Sequence, residues 1–130
     1  MQVEDDQFCF VCGTQNPQGM GVHFEVNPEE QRAHARFTIP VHYQGWQGIV
    51  HGGILATLLD EVSVYACRSM APQLVTAELN VRYRKPAPVG QPLDLVAEVV
   101  ATKKRYFLVK ASIGADGVLY AESESKIFIC

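Results

Sequence analysis

The order of hydrophobic and polar side chains divides the chain into two kinds of segment. Between residues 33 and 39, and again between residues 75 and 84, apolar and polar residues alternate one by one, as in a β-strand with one buried face. Between residues 52 and 70 the apolar residues recur every three or four positions, as on the buried side of an α-helix. The pattern therefore predicts a mixed fold with one long helix.

Turn-forming residues separate the predicted elements. Pro40 follows the second strand, Pro72 follows the helix, and Asp116-Gly117 has the composition of a two-residue hairpin turn. The predicted strands cover residues 22–26, 33–39, 75–84, 93–102, 106–113 and 118–129. This order is typical of an α+β domain whose antiparallel sheet packs its apolar face against the helix. We expect a single domain over residues 1–130, in which residues 1–20 form a leading Cys-x-x-Cys segment.

One acid of the predicted helix lies opposite its apolar stripe. The stripe comprises Ile54, Leu55, Leu58, Leu59, Val62, Tyr65, Ala66 and Met70. At about 100° per residue, Asp60 projects to the other side, where its neighbours are Gly53, Ala56, Val64 and Cys67. Small and apolar neighbours are typical of a contact with another backbone or subunit. Asp60 is either a hydrogen-bonded structural carboxylate or a functional one, and the pattern leaves both readings open.

Two glycines stand at the start of this helix. The first N–H groups of a helix have no partner within it and lie at the positive end of its dipole. Gly52 and Gly53 allow a ligand to approach these groups closely, although two glycines also suit any tight turn. Gly52 and Asp60 are eight residues apart, which is about 12 Å along a helix. They can serve one carbonyl group only if antiparallel copies of the helix lie side by side in a dimer.

Composition and charge restrict the class of protein. The chain has 130 residues, of which 48% are hydrophobic and 19% are charged, as in an ordinary globular domain. Its formal net charge of -3 gives no electrostatic reason to expect a nucleic acid partner. Residues 1–7 lack the basic and apolar regions of an export signal, and no later run is apolar for long enough to span a membrane. We therefore expect a cytoplasmic protein without a nucleic acid or membrane partner.

The cysteines predict reduced thiols. They are Cys9, Cys12, Cys67 and Cys130, and without an export signal disulfides are not expected. Cys9 and Cys12 have the spacing of half a zinc site, but no second Cys-x-x-Cys pair completes four ligands. His23 or His34 would have to contribute. Because Cys9 stands among apolar residues, we expect two inert, packed thiols and no metal or other cofactor.

Several motifs together resemble the hotdog-fold thioesterases of the phenylacetate-pathway and human acyl-CoA thioesterase kind. The resemblance covers most of the chain. It comprises the His51-Gly52-Gly53 helix start with an acid nine residues after the histidine, Asn80-Val81-Arg82-Tyr83 followed by Pro86, the Val89-Gly90 turn, and the leading Cys9-x-x-Cys12-Gly13 with Asn16-Pro17-x-Gly19. The resemblance implies a sheet wrapped around a central helix and subunits that pair through their sheets, with the active site at the dimer interface. A homodimer that assembles further into a tetramer is expected.

The resemblance also implies a reaction and roles for individual residues. An acyl-CoA, or a related acyl thioester, is expected to be hydrolysed to a free acid and a thiol without a cofactor. Asp60 matches the general base or nucleophile, and Gly52 matches the oxyanion donor. His51 corresponds to the histidine that positions the thioester, and Gly53 lies beside it in the substrate site. Thr76 corresponds to a hydroxyl that orients the attacking water, although the strand alternation places Thr76 on the polar side.

The chain departs from these relatives six residues before His51. Relatives often have Asn or Gln at this position, whereas this chain has Gly45. Gln44 or Gln47 is the candidate replacement for holding the substrate carbonyl or the water.

A set of basic residues offers a site for the phosphates of CoA. The predicted phosphate ligands are Arg82, Arg84, Lys85 and Lys104. Basic side chains at strand ends and turns are also common as ordinary solvated charge.

Two other functions fit the same sequence. The architecture also supports an enoyl-CoA hydratase or dehydratase, which needs a histidine and an acid around the acyl chain. A non-catalytic acyl-CoA sensor would bind the same ligand, but such a sensor is normally coupled to an output module. The Gly-Gly helix start with Asp60 favours thioester hydrolysis over both.

Overall fold

The computed structural model describes residues 1–130 and contains one sheet and one long helix. The strands are β1 (Glu25–Asn27), β2 (Arg32–Thr38), β3 (Leu74–Tyr83), β4 (Pro92–Thr102), β5 (Tyr106–Ala115) and β6 (Val118–Ile129). The helix, α1, covers Gly52–Cys67, and a short 3-10 helix precedes it at Val41–Tyr43. All neighbouring strands are antiparallel, in the order β1-β2-β4-β5-β6-β3. The predicted α+β architecture, an antiparallel sheet wrapped around one long helix, is confirmed.

The core lies between α1 and the concave face of the sheet. Leu58, Leu59 and Val62 of α1 are completely buried. The sheet presents small residues to the helix at several inward positions, among them Ala33, Ala35, Ala97, Ala111 and Ala121. Small side chains at these positions allow the helix axis to approach the sheet, while leucines fill the space between them. Each fully buried leucine stabilises the fold by about 1.5–3 kcal/mol relative to an exposed one.

The predicted helix is confirmed, but its end and one of its faces are corrected. The helix ends at Cys67 and continues only as turns through Met70, so the predicted end is three residues too late. The helical projection places Cys67 on the face opposite the core, whereas its side chain is completely buried. The buried arc of α1 is therefore broader than the predicted stripe, because the sheet wraps around the helix.

The predicted unbroken alternation of the third strand is wrong at one point. In β3, Thr76 pairs with Ile127 and Glu78 pairs with Lys126, so that Ala77 is the extra residue of a β-bulge. A bulge exchanges the two faces of a strand from that point on. Thr76 therefore lies on the helix side, opposite the buried Ile127, and not on the polar side that strict alternation assigns to it.

The first predicted strand is also shorter than expected. Strand β1 begins at Glu25, whereas the prediction began at residue 22. The N–H of Val22 instead donates to the Val11 carbonyl oxygen at 2.9 Å, and Phe24 stacks on Tyr65 at 4.5 Å between ring centroids. The Val22 N–H is thus bonded to the leading segment, whereas in a longer β1 it would be bonded to β2. Phe24 packs beside α1.

The predicted hairpin turn is confirmed. Ala115 pairs with Val118 across a two-residue loop, in which Asp116 has φ 51° and Gly117 has φ 80°. Positive φ at both central residues is the type I′ geometry that Asp-Gly favours. The chain has no helix of the length and hydropathy that crossing a bilayer requires.

Candidate active site

Asp60 is held by a hydroxyl from the neighbouring strand. It lies in the third turn of α1 and is half-buried. The Thr76 hydroxyl donates a hydrogen bond to Asp60 Oδ1 at 2.6 Å. The β-bulge of β3 makes this contact possible, because it turns Thr76 toward the helix. The structure thus brings together two residues that the sequence singles out sixteen positions apart.

The start of α1 leaves one N–H group without an acceptor. His51 is the N-cap, and its Nδ1 accepts a hydrogen bond from the Gly53 N–H at 2.9 Å. Gly52 is the first helical residue, and its N–H makes no hydrogen bond within the chain. The side chain of His51 therefore accepts the N–H of Gly53, and the N–H of Gly52 remains a free donor at the positive end of the helix dipole. An incoming oxyanion would find that donor already oriented.

Tyr83 of β3 is hydrogen-bonded to the first residue of α1. Its hydroxyl donates to the Gly52 carbonyl oxygen at 2.8 Å, and its side chain is 54% exposed. Strand β3 is therefore joined to α1 at two places, by Thr76 near Asp60 and by Tyr83 near Gly52. The sequence pattern assigned Tyr83 no role, because nothing in the alternation distinguishes it from the other apolar positions of that strand.

The packing of the loop before α1 explains why glycine stands at position 45. A Cβ at Gly45 would stand 3.3 Å from both Cα and Cδ2 of His51, so that any side chain there would crowd the imidazole. Gln44 does not project toward the helix start as a free ligand, because its Oε1 accepts from the Gly48 N–H at 3.0 Å within the loop. Gln47 is exposed and makes no side-chain hydrogen bond within the chain.

A cleft of about 420 Å³ opens beside Asp60. Thr76 and Leu74 of β3 and Arg68 at the end of α1 form one part of its wall. The leading segment forms another part through Val3, Glu4, Asp5 and Cys9. Asp60 therefore faces a partly enclosed space with both polar and apolar walls, which suits a ligand better than an open surface does.

The basic residues fall into two separate groups. Arg82, Arg84 and Lys85 lie at the Gly52 end of the sheet, where the Arg84 Nε is 2.8 Å from Glu122 Oε2. Lys104 lies in the turn between β4 and β5 at the opposite end, near the level at which Tyr106 pairs with Phe128. At about 3.3 Å per residue the two groups are roughly 20 Å apart. Within a single chain they therefore do not form one phosphate-binding cluster.

Cys9 and Cys12 gather around an acid of the helix. Ligand atoms of Cys9, Cys12 and Glu61 all lie within 4.8 Å of one another, and the Cys9 thiol donates to Glu61 Oε1 at 3.5 Å. Burial raises the pKa of the Cys12 thiol to about 12, and Glu61 adds to the rise. The helical projection favours ordinary surface charge for Glu61, whereas it is half-buried beneath the leading segment. His23 and His34, the other candidate ligands, are not members of this group.

Comparisons with known proteins identify the family. The thioesterase superfamily model matches residues 47–118, which include all of α1, β3 and β4. The acyl-coenzyme A thioesterase THEM4 of Mus musculus is 30% identical over 110 residues, covering 82% of this chain and 47% of the relative. Human acyl-coenzyme A thioesterase 13 is 34% identical over 59 residues, covering 44% of this chain and 42% of the relative. The chain thus spans about half the length of these curated relatives.

Solved structures agree with this result. The crystal structure of a thioesterase superfamily protein superposes with a TM-score of 0.85 at 30% identity, covering 95% of this chain and 61% of that one. The PaaI protein of the E. coli phenylacetic acid degradation operon superposes with a TM-score of 0.77 at 21% identity, covering 85% of this chain and 80% of that one. The chain belongs to the thioesterase superfamily and has the hotdog fold.

Proposed function

We propose that this protein hydrolyses an acyl-CoA, or a closely related acyl thioester, to a free acid and a thiol. One observation carries the proposal: Asp60 stands half-buried beside a cleft, with its Oδ1 held at 2.6 Å by the Thr76 hydroxyl. The names of the curated relatives, acyl-coenzyme A thioesterases, support the same substrate class. A thiol-release assay across short, long and aromatic acyl-CoAs tests it, with enoyl-CoA hydration measured alongside to separate the two chemistries.

Asp60 supplies the carboxylate of the reaction. As a general base it takes a proton from a water molecule while the water oxygen attacks the thioester carbonyl carbon. As a nucleophile it attacks that carbon itself and forms a mixed anhydride, which water then hydrolyses. In both routes the tetrahedral intermediate expels the CoA thiolate. Thr76 directs its proton to Asp60, so the lone pairs of its oxygen remain available to orient the water.

The Gly52 N–H stabilises the oxyanion that forms in either route. A donor of this kind, fixed before the reaction starts, is commonly worth about 3 kcal/mol of transition-state stabilisation. The imidazole of His51 lies next to it and holds the Gly53 N–H. His51 and Gly53 therefore fix the shape of the helix start, and His51 lines the place where the thioester binds.

The active site is composite, and two subunits complete it. Gly52 and Asp60 are about two helical turns apart on one helix, which is too far for both to reach one carbonyl. Strand β3 is an edge strand of ten residues, and an unpaired edge is a template for pairing with another chain. Antiparallel pairing of two β3 strands centred on residue 80, with the bulge residues 77 and 78 opposite residue 82, would set Thr76 opposite Tyr83 of the second copy. Asp60 of one chain would then approach Gly52 of the other.

The proposed dimer also gives the basic residues a role in binding CoA. Arg82, Arg84 and Lys85 lie at the Gly52 end of one chain, and Lys104 lies toward the Asp60 end of the other. In a dimer both groups flank the same site, although they are far apart within each chain. They are the proposed ligands of the CoA phosphates, and assembly of dimers into a tetramer is also proposed. Sedimentation of the purified protein measures the assembly.

Replacing Thr76 tests the role of its hydroxyl. Thr76→Val keeps the shape of the side chain but removes the donor to Asp60, and we expect kcat to fall by about tenfold to a hundredfold while the fold is retained. Thr76→Ser keeps the hydroxyl and is expected to retain most of the activity. Steady-state thiol release by the two variants checks this, and equal activity in both would remove Thr76 from the mechanism.

A further inference from the structure

The Cys9–Cys12 turn has the local geometry of a metal-binding knuckle. The Val11 N–H points to Cys9 Sγ at 3.4 Å, and the Gly13 N–H donates to the Cys9 carbonyl oxygen at 2.9 Å. The backbone is so tightly folded that a Cβ at Gly13 would lie 2.4 Å from the Cys9 nitrogen. Only glycine fits there. A backbone N–H directed at a cysteine sulfur is the kind of outer-shell hydrogen bond that orients a metal ligand.

The third member of the group comes from the helix and lies at a ligating distance. Zinc binds sulfur at about 2.3 Å and carboxylate oxygen at about 2.0–2.2 Å in tetrahedral sites, which implies a sulfur-to-oxygen separation of about 3.6 Å. Cys9 Sγ and Glu61 Oε1 are 3.5 Å apart. All three ligand atoms fit within 4.8 Å, so a small side-chain movement is sufficient to surround one ion.

A divalent cation would balance most of the charge of the deprotonated group. Two thiolates and one carboxylate carry three negative charges, of which a divalent cation neutralises two. The Arg68 guanidinium lies 4.1 Å from the centroid of the Tyr65 ring, and the Tyr65 side chain adjoins Cys12. In the absence of metal the Cys9 thiol donates a hydrogen bond to Glu61, and a bound cation would take the place of the thiol protons.

We propose that Cys9, Cys12 and Glu61 bind one zinc ion, whose fourth ligand is water. Metal binding to thiols releases protons, so the apparent affinity rises with pH. The ion joins the leading segment to α1 one residue away from Asp60. Because Val3, Glu4 and Asp5 of the same segment line the cleft beside Asp60, zinc fixes one wall of that cleft. Removing zinc is expected to expose the leading segment to proteolysis.

Metal content of the purified full chain tests this proposal directly. Protein kept under reductant is dialysed against Zn²⁺ with a chelating competitor, and bound zinc is counted per chain by elemental mass spectrometry. We expect one ion per chain, and Co²⁺ in its place should give thiolate-to-cobalt charge-transfer absorption. Cys9→Ser, Cys12→Ser and Glu61→Gln should each lower the affinity by at least about tenfold, since even losses of outer-shell partners have that effect.

Two matched variants and one measurement on the unaltered chain complete the test. Cys130→Ser and Glu124→Gln make the same chemical changes at exposed positions, and they should bind zinc as the parent does. X-ray absorption of the zinc-loaded parent should report two sulfur ligands, whether or not the variants fold. A reduced parent chain that binds no more zinc than a Cys9→Ser, Cys12→Ser double variant, or whose bound zinc has no sulfur ligand, would overturn the proposal. Because no substrate is present, that result would leave the thioesterase proposal untouched.

Discussion

Replacing Asp60 with asparagine is expected to lower kcat for thiol release by about 10²- to 10⁴-fold, the usual contribution of a general base. The asparagine amide would keep an oxygen that accepts the hydrogen bond of Thr76, so the contact between α1 and β3 survives. The variant would lose the negative charge that removes a proton from water or attacks the carbonyl. The loss should therefore appear in kcat, with the fold and the KM for the acyl thioester little changed.

The control for this variant makes the same change on the other face of the sheet. Asp94 lies in β4, half-exposed, and its carboxylate is 3.4 Å from Arg36. Asp94→Asn removes a surface ion pair worth about 0–1 kcal/mol and should leave turnover at the parental level. Thermal unfolding of both variants checks that they are folded. Full turnover by Asp60→Asn would reject Asp60 as the reacting carboxylate.

Replacing Gly52 with proline is expected to remove the oxyanion donor with little harm to the helix. Proline lacks the N–H group but is favoured at the first helical position, where that group has no partner within the helix. The residue before proline must be extended, and His51 already has φ -59° and ψ 134°. We expect kcat to fall by about 10²- to 10³-fold, the usual effect of losing one oxyanion donor.

Alanine at the same position separates the donor from the added side chain. A Cβ at Gly52 would contact the Tyr83 ring at 3.4 Å, an ordinary van der Waals distance, and Gly52→Ala keeps the N–H group. Both variants place a Cβ in the same space, so the ratio of their kcat values measures the donor itself. Steady-state kinetics on one acyl-CoA gives that ratio. Equal activity of the proline and alanine variants would exclude the Gly52 N–H from the reaction.

Most of the fold could be predicted from the chain because its patterns are unambiguous. The strand over residues 118–129 and the Asp116-Gly117 turn agree with the structure to the residue, since a strict alternation and a turn residue with positive φ leave few alternatives. The ends of α1 and β1 were less well predicted. The start of β1 depends on another segment of the chain, because the Val11 carbonyl accepts from the Val22 N–H. The end of α1 passes into local turns through Met70.

The candidate site was predictable only in part. Asp60 and the helix-start glycines follow from helical geometry, and the resemblance pointed to Thr76. The bulge at Ala77, which turns Thr76 toward Asp60, leaves no mark on the alternation of apolar residues. Glu61 meets Cys9 across 52 positions of the chain, and no spacing rule joins an isolated Cys-x-x-Cys to an acid so far away.

A heterodimer of two inactive variants tests whether Asp60 of one subunit and Gly52 of another act on the same thioester. Asp60→Asn and Gly52→Pro chains carrying different affinity tags are co-expressed, and the heterodimer is isolated by both tags in succession. In a composite site the heterodimer contains one intact pair, Asp60 from one chain with Gly52 from the other. It should therefore recover about half of the parental kcat per dimer, whereas each variant homodimer remains impaired. A folded heterodimer no more active than the two homodimers would show that Asp60 and Gly52 of different subunits do not share one thioester.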